Sequence, residues 1–284
     1  MDRRASGQRH NKELHFAALL ATALSAAAPS AAAAEAKTSD VIREFAASTA
    51  IDGEVSYLKA GDPTGRRVIF VHGTPGSADG WEEFLTDVPS GFEFVAVDRP
   101  GFGESAPRKA VVDLSAQAQA LKPLLVERDG KWPILIGHSL GGPVVAQVAA
   151  DMPDQVDSLV IAAGSLDPNL EKVHFMQPVG EWWPVRQLLP RAIRNANQEL
   201  MALKVELEEL QPKLKTIDHP IIIIHGTVDN LVPYDNVAYM ERHFDGNENL
   251  SIVTLEGQNH FLPWNSKTEI DAAIQKLSEA AHDG

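Results

Sequence analysis

The chain contains no cysteine among its 284 residues. This absence excludes disulfide bonds, cysteine-ligated zinc and lipidation of an N-terminal cysteine, although it does not by itself decide the compartment. Basic residues are scarce as well, because 25 Lys and Arg stand against 39 Asp and Glu and leave a formal charge of −14. Such a charge argues against nucleic acid or an anionic membrane surface as a partner. A hydrophobic content of 44% in a chain of this length is ample for one large domain, or for a domain with an insertion.

The N-terminal segment combines basic residues with an apolar run that is too short to span a bilayer. The run covers residues 16–24 and leads into an alanine-rich stretch that ends at Ala34, and four basic residues precede it: Arg3, Arg4, Arg9 and Lys12. A basic region, a short apolar region and small residues before Glu35 are typical of a secretory signal peptide. We therefore predict a signal peptide over residues 1–34, a periplasmic or secreted protein, and no stable membrane anchor. The alternative is an alanine-rich leader without a targeting role.

Short apolar runs recur along the remaining chain, and helical patterns separate them. The pattern predicts strands over residues 54–60 (an edge strand), 68–72, 92–98, 134–136, 157–163, 221–225 and 250–255. It predicts helices over residues 40–50, 114–128 (interrupted at Pro123), 144–150 and 267–281. Strands that alternate with helices form right-handed βαβ units, so we expect a mostly parallel sheet with helices on both faces.

One long segment, residues 165–216, contains no strand candidate. Leucines follow each other there at spacings of three and four, which places them on one face of a helix: Leu200, Leu203, Leu207, Leu210 and Leu214. We expect Pro212 to kink or interrupt this helix. An all-helical insertion of this length in an α/β domain favours a lid over the active site. The predicted organisation is therefore a core over residues 35–164 and 217–284, with a helical cap over residues 165–216.

The segment around Ser139 is the centre of the predicted site. Residues 134–136 read as a strand buried on both faces, residues 137–141 spell Gly-His-Ser-Leu-Gly, and a helical segment follows. Gly-x-Ser-x-Gly between a strand and a helix is the pattern of a nucleophile elbow, in which a strained turn lifts the serine hydroxyl above the sheet. We predict that Ser139 is the nucleophile.

An activated serine needs a base and a group that orients the base. His260 lies between the last predicted strand and the last predicted helix, where a loop can bring its imidazole over Ser139. Asp229 follows the next-to-last strand, and the order Ser139, Asp229, His260 is the order of nucleophile, acid and base in α/β-hydrolases. Asp167 is the main rival for the acid, and Asp98 is a weaker one.

The oxygen of a tetrahedral intermediate needs at least two N–H donors. The backbone N–H of Leu140, directly after the nucleophile, is one candidate. The second candidate is Thr74 in the sequence His72-Gly-Thr-Pro75, because proline has no N–H. Several residues are candidates for the lining of the substrate pocket: His138, Phe175, Met176, Trp182, Trp183 and Phe261. The two tryptophans could equally form the core of the cap.

These motifs, in this order, resemble those of the serine-dependent α/β-hydrolase superfamily. They are His-Gly-x-Pro at 72–75, Asp-x-x-Gly-x-Gly-x-Ser at 98–105, Gly-x-Ser-x-Gly at 137–141, His-Gly-x-x-Asp at 225–229 and Gly-x-x-His at 257–260. The resemblance implies an eight-stranded-type sheet with a variable helical cap after the sixth strand. Serine at position 139 argues against the branches of the superfamily that use a carboxylate nucleophile. The resemblance does not imply a substrate.

The predicted activity is hydrolysis of an acyl bond in a small molecule, preferably a carboxylic ester, with no metal or organic cofactor. The same three residues can also support cleavage of amides, as in aminopeptidases, cleavage of carbon–carbon bonds, or perhydrolysis. A ligand-binding protein on a hydrolase scaffold is a further alternative. An aminopeptidase needs acidic side chains of the cap that face the substrate amine, and Glu171, Glu181, Glu199 and Glu206 are available. Chain-length preference, stereoselectivity and oligomeric state stay open.

Overall fold

The computed structural model describes residues 40–171 and 177–280, which all lie in one compact unit spanning residues 38–284. The predicted signal peptide, residues 1–34, lies outside the described residues, as do Phe175 and Met176. None of the helices in the described part is both long and apolar enough to cross a bilayer.

Eight strands form one sheet in the order β1-β2-β4-β3-β5-β6-β7-β8. Their bounds are β1 (Ile42–Ser48), β2 (Gly53–Gly61), β3 (Arg66–Val71), β4 (Phe92–Val97), β5 (Ile134–His138), β6 (Ser158–Ala162), β7 (Ile221–Gly226) and β8 (Leu250–Leu255). The β1–β2 and β2–β4 pairs are antiparallel, and every other pair is parallel. This arrangement confirms the prediction of a mostly parallel sheet.

The described helices cover both faces of the sheet. They are α1 (Glu82–Leu85), α2 (Leu114–Ala120), α3 (Gly141–Asp151), α4 (Gln177–Glu181), α5 (Trp183–Leu188), α6 (Arg191–Leu214), α7 (Asp235–His243), α8 (Leu262–Asn265) and α9 (Lys267–Ala280), with short 3₁₀ turns between some of them. Consecutive side chains of a strand point to opposite faces, so Ile221 and Ile223 of β7 join one core and Ile222 and Ile224 join the other. The first core contains residues of α2, α3, α6 and α7, and the second contains residues of α1 and α9.

The first two elements differ from the prediction. Residues 42–48 form the edge strand β1 rather than a helix, and β2 lies between β1 and β4 rather than at the edge. Alanine, glutamate and arginine in this segment favour a helix locally, but β2 offers a complete antiparallel ladder, from Ile42 opposite Lys59 to Ser48 opposite Gly53. Tertiary pairing therefore overrides local propensity here.

Between β6 and β7 the described residues form helices only, as predicted for this segment. The 24-residue helix α6 places Leu203, Leu207, Leu210 and Leu214 in the same core as the sheet. Pro212 lies inside α6 and does not interrupt it, so the expectation of an interruption is wrong. Pro212 is only two residues from the end of α6, so the hydrogen bond that its missing N–H removes lies in the last part of the helix. The buried leucine face thus packs α6 against the core of the sheet.

Candidate active site

Ser139 lies in the turn between β5 and α3, where the sheet ends. Its backbone has a φ of +55°, which is unusual for a residue other than glycine. The turn is held by hydrogen bonds from Ser139 N to Ala162 O, at 3.0 Å, and from Gly142 N to Ser139 O, at 2.9 Å. A methyl group at Gly137 would lie 2.3 Å from Gly141 O, so the chain can close this turn only without a side chain there. The half-buried Ser139 side chain thus projects from a tightly defined elbow.

His260 and Asp229 come from the loops that follow β8 and β7. These loops are joined by hydrogen bonds from Val228 N to Gln258 O, at 3.1 Å, and from Gly257 N to Thr227 Oγ1, at 2.9 Å. His260 Nδ1 lies 2.7 Å from Asp229 Oδ2, and both residues are only 7% exposed. A carboxylate at this position fixes the orientation and tautomer of the imidazole, and it leaves Nε2 as the nitrogen that can accept a proton.

The Asp229 carboxylate is held in its charged form. Burial raises the pKa of Asp229, but the hydrogen bond and charge of His260 and the backbone N–H groups of Val232 and Leu231 outweigh burial and lower it. Both N–H groups donate to Oδ1 at 2.8 Å, while Oδ2 is left for His260. Each carboxylate oxygen therefore has a separate role, one in the loop and one on the imidazole.

The rival acids are engaged elsewhere. Asp167 Oδ1 accepts the backbone N–H of Asn169 at 2.8 Å. Asp98 is fully buried and accepts from Arg43 Nη1 at 2.6 Å and from Ala78 N at 2.7 Å. Within residues 40–171 and 177–280, neither aspartate forms a hydrogen bond to a histidine. Geometry therefore favours Asp229 as the partner of His260.

His138 lies beneath His260 rather than in an open pocket. Its Nε2 lies 2.9 Å from His260 O, and the two rings are 4.8 Å apart. Burial, and then the positive charge that His260 can carry, lower the pKa of His138 to about 3. A neutral His138 donates its Nε2–H to the His260 carbonyl and so supports the loop that carries His260.

The loop after β3 runs beside Ser139. A methyl group at Gly73 would lie 2.7 Å from Ser139 Cβ and 3.2 Å from Ser139 Oγ, so the Gly73 backbone borders the serine side chain. In the described part of the chain, the N–H groups of Thr74 and Leu140 donate to no protein acceptor. Both groups are thus available to the oxygen of a reacting carbonyl.

The Ser139 hydroxyl has no hydrogen bond to His260 among the described residues. Hydrogen bonds between catalytic groups often tighten only when substrate binds. His138, the residue before Ser139, is in direct contact with His260, so His260 lies beside the elbow.

The described aromatic candidates for the pocket lining differ in exposure. Trp182 and Trp183 are 65% and 68% exposed, so they neither line a closed pocket nor form a core of the cap. Phe261 is half-buried, with its ring 5.9 Å from the ring of His260 and 6.0 Å from that of Trp264. Among the described aromatic candidates, Phe261 is therefore the one in contact with His260, and sequence analysis did not select its neighbour Trp264.

Sequence analysis also missed a buried polar network behind the site. Arg99 and Glu199 are 0% and 2% exposed and form an ion pair of 2.7 Å between Nη1 and Oε1. Glu199 appeared only as one of several acids of the cap, and Arg99 only as part of a motif. No spacing in the sequence reveals that residues 100 positions apart are paired. Among the described residues, no cluster of three or more His, Asp or Glu side chains could hold a metal ion.

Comparison with known proteins identifies relatives of the chain. Residues 66–198 match the family model described as alpha/beta hydrolase fold. A non-heme chloroperoxidase of Streptomyces lividans is 28% identical over 236 residues, which cover 67% of this chain and 84% of that protein. A pimeloyl-[acyl-carrier protein] methyl ester esterase of Proteus mirabilis is 24% identical, with 62% of this chain and 80% of that protein covered.

Two further matches differ in how much of each chain they cover. The match to an acetyltransferase component of the acetoin cleaving system of Cupriavidus necator is 34% identical, but it covers only 40% of this chain and 30% of that protein. The solved structure of 2-hydroxy-6-oxo-6-phenylhexa-2,4-dienoate hydrolase from a Rhodococcus species has a TM-score of 0.65 and 18% identity, with 85% of this chain and 100% of that chain covered. This last likeness concerns the fold alone.

Proposed function

The chain belongs to the α/β-hydrolase superfamily, and on this basis we propose that it is an exported serine hydrolase that cleaves a carboxylic ester. The observation that carries the proposal is the buried 2.7 Å pair of Asp229 and His260 beside the strained elbow of Ser139. A fixed tautomer of the base next to a raised serine hydroxyl is the arrangement that nucleophilic catalysis requires.

In the proposed reaction, Ser139 Oγ attacks the ester carbonyl while His260 Nε2 takes its proton. Asp229 holds the resulting imidazolium and stabilises its charge. The N–H groups of Thr74 and Leu140 bind the negative oxygen of the tetrahedral intermediate. The protonated His260 then gives its proton to the departing alcohol, and an acyl-enzyme on Ser139 remains. A water molecule deprotonated by His260 attacks this acyl group and releases the acid.

An aminopeptidase activity is less well supported than ester hydrolysis. Recognition of a substrate amine needs a free carboxylate. Glu199 is neutralised by Arg99, Glu206 Oε2 accepts the N–H of Leu114 at 2.9 Å, and Glu181 accepts from two amides of α6. Glu171 is hydrogen-bonded to Ser165 Oγ, and burial raises its pKa, which weakens it as a partner for a cation.

Carbon–carbon bond hydrolysis and perhydrolysis are the second candidates, because proteins similar to this chain include a dienedioate hydrolase and a non-heme chloroperoxidase. All of these reactions use the same serine, so a substrate panel separates them. The panel contains p-nitrophenyl acetate, an aminoacyl naphthylamide, a vinylogous 1,5-diketone, and acetate with hydrogen peroxide. Ester turnover well above the other three supports the proposal, and equal or faster turnover of any other substrate contradicts it.

Replacement of the nucleophile tests the mechanism. Ser139→Ala is expected to lower p-nitrophenyl acetate hydrolysis by at least about 10⁴-fold, because the acyl-enzyme cannot form. Ser115→Ala is the matched control, since it removes a hydroxyl on α2 that donates to Asp151. Near-equal rates of Ser139→Ala and Ser115→Ala would exclude the acyl-enzyme route. A ligand-binding protein would bind esters with no turnover in the unmodified chain.

The proposal that the protein is exported rests on the basic and apolar pattern of residues 1–34. Intact mass of the protein from the periplasm or medium tests this part of the proposal. A mass that corresponds to a chain beginning at or near Glu35 supports export through a cleaved signal peptide, and a full-length chain confined to the cytoplasm contradicts it.

A further inference from the structure

Arg99 is the centre of the polar network behind the candidate active site. Its Nε donates to His72 O and its Nη2 to Gly73 O, both at 2.9 Å. Its Nη1 donates to Gln117 Oε1 at 2.5 Å and to Glu199 Oε1 at 2.7 Å. A guanidinium offers five N–H donors in a fixed plane, so these bonds hold the two carbonyls of the loop after β3 in one orientation.

The orientation of the Gly73 carbonyl determines where the Thr74 N–H points. The peptide bond between Gly73 and Thr74 is trans, and in a planar trans peptide the C=O and N–H point in opposite directions. The Gly73 oxygen faces Arg99 and His72 Nδ1, which lies 2.6 Å away. The Thr74 N–H therefore points away from Arg99, and Gly73 itself borders Ser139. Arg99 thus acts on the proposed oxyanion donor through one rigid peptide plane.

Glu199 connects this plane to the helix α6. Its Oε1 accepts from Arg99 and from Gln117 Nε2, at 3.0 Å, and its Oε2 accepts from Arg99 Nη2, at 3.1 Å, and from Thr74 Oγ1, at 2.5 Å. Glu199 is therefore bonded to the side chain of Thr74 and also to the cation that orients the Thr74 backbone. A fully buried arginine needs such a counter-charge, because an unpaired charge in the interior is strongly disfavoured.

The position of α6 is itself fixed by side chains spaced four residues apart on the same face. Asn195 Nδ2 donates to Gly101 O at 2.8 Å and Arg191 Nη1 donates to Gly101 O at 3.0 Å. Further along, Leu203 and Leu207 enter the core of the sheet. Glu199 thus belongs to a helix with little freedom to shift, which gives Thr74 a rigid support.

We propose that Glu199 is a positioning residue: from the helical insertion it fixes the Gly73–Thr74 peptide, through Arg99 and the Thr74 hydroxyl, so that the Thr74 N–H faces the oxygen that forms on the substrate. The inference rests on the proposed ester hydrolysis and adds a link between the insertion and the oxyanion site. Glu199 touches neither the substrate nor the reacting atoms, so its effect appears as a loss of transition-state binding.

The test compares Glu199→Gln with Glu206→Gln. Glu206 is on the same helix and accepts a backbone N–H from Leu114, with no bond to the loop after β3 among the described residues. A phenylboronic acid serves as the probe, because its serine adduct is tetrahedral and places an oxygen in the oxyanion site. Glu199→Gln is expected to lower kcat for p-nitrophenyl acetate and to raise the boronate Ki by at least about 10-fold each, with KM changed by less than about 3-fold.

A merely structural role of Glu199 would reduce the fraction of active enzyme, which fluorophosphonate titration measures, and would leave the Ki of the active fraction unchanged. Equal Ki values for Glu199→Gln and Glu206→Gln would overturn the proposal. If Glu199→Gln does not fold, Thr74→Val and Thr74→Ser provide the second comparison. The Ki is expected to rise for valine, which lacks the hydroxyl, and to stay near the original value for serine; unchanged Ki for both would overturn the proposal.

These outcomes are separate from failure of the proposed function. If the unmodified chain neither hydrolyses the ester nor binds the boronate, the proposed function is wrong. If the unmodified chain hydrolyses the ester and binds the boronate, but Glu199→Gln leaves kcat and the boronate Ki unchanged, only the positioning role of Glu199 is wrong.

Discussion

Asp229 Oδ2 and His260 Nδ1 lie 2.7 Å apart in a position almost closed to solvent. The two residues belong to different loops. Further hydrogen bonds join these two loops, in addition to the contact between Asp229 and His260. The pair is therefore part of the rigid carboxyl edge of the sheet, where β3, β5, β7 and β8 all end. Ligand sites of open α/β sheets form at this edge, because the loops that follow parallel strands converge there.

The first prediction separates the two candidate acids. Asp229→Asn preserves the shape of the side chain but removes its charge, so it can hold His260 in the wrong tautomer. We expect kcat to fall by about 10³–10⁴-fold, as in other enzymes with this arrangement. Asp167→Asn is the control, because Asp167 is similarly buried and, among the described residues, its carboxylate accepts hydrogen bonds only from Asn169. An equal loss in both variants, measured by ester hydrolysis, would remove the special role of Asp229.

The second prediction concerns stability at mildly acidic pH. Burial, with the charges of Arg99 and His260 respectively, lowers the pKa values of His72 and His138 to about 3. The unfolded chain protonates these residues near pH 6.5, so between pH 6.5 and 3 it binds more protons than the folded chain. Stability therefore falls as pH falls through this window, by about 2 kcal/mol for each histidine at pH 5.

Urea unfolding at pH 7 and pH 5 measures this effect. His138→Gln replaces the imidazole by an amide that can still donate to the His260 carbonyl. The loss of unfolding free energy between pH 7 and 5 is expected to be about 2 kcal/mol smaller in this variant. The same loss in both proteins would show that His138 takes up a proton while the chain is folded.

The third prediction uses the close approach of Gly73 to Ser139. A methyl group at position 73 would lie 2.7 Å from Ser139 Cβ, which forces either the loop or the serine to move. We expect Gly73→Ala to lower kcat by at least about 10²-fold, because small displacements of reacting groups have large effects on rate. Gly80→Ala is the control, since the nearest atom, in the Trp264 ring, would be 3.5 Å away. Full activity of Gly73→Ala would mean that the loop after β3 lies farther from Ser139 than these distances indicate.

The fourth prediction contrasts a buried ion pair with an exposed one. Glu199→Ala leaves Arg99 charged and fully buried, so the free energy of unfolding is expected to fall by about 3–5 kcal/mol. Glu208→Ala, on the same helix, breaks a 4.0 Å contact with Lys204 in which both side chains are about half exposed. Its effect is expected to stay within about 0.5 kcal/mol. Chemical denaturation of the two variants checks the contrast, and similar small losses would mean that water reaches Arg99.

Sequence periodicity predicted the parallel part of the fold because those strands are buried on both faces, and such strands read as apolar runs. The run of four isoleucines in β7 is the clearest case. Periodicity failed for β1, whose exposed Ile42 and Phe45 carry no alternating pattern and whose structure depends on pairing with β2. Motif order placed Ser139, Asp229 and His260 in the loops after β5, β7 and β8, at the same edge of the sheet, since the position of each loop follows from the strand before it.

The supporting residues could not be predicted in the same way. The pairing of Arg99 with Glu199 joins a loop of the sheet to the helical insertion, and it depends on how α6 packs. The position of His138 under His260 likewise depends on two loops that meet only in the folded chain. For Trp182 and Trp183 the sequence indicated pocket or core, whereas both side chains are exposed, because aromatic character alone does not indicate which face of a short helix is covered.

Covalent labelling tests the central claim most directly. The unmodified chain is incubated with a fluorophosphonate, and the site of modification is read by mass spectrometry of the intact chain and of its peptides. One phosphonyl group is expected for each chain, located on Ser139, and no labelling is expected for the Ser139→Ala variant. Labelling at another residue, or none at all in the folded protein, would contradict the assignment of Ser139 as the nucleophile.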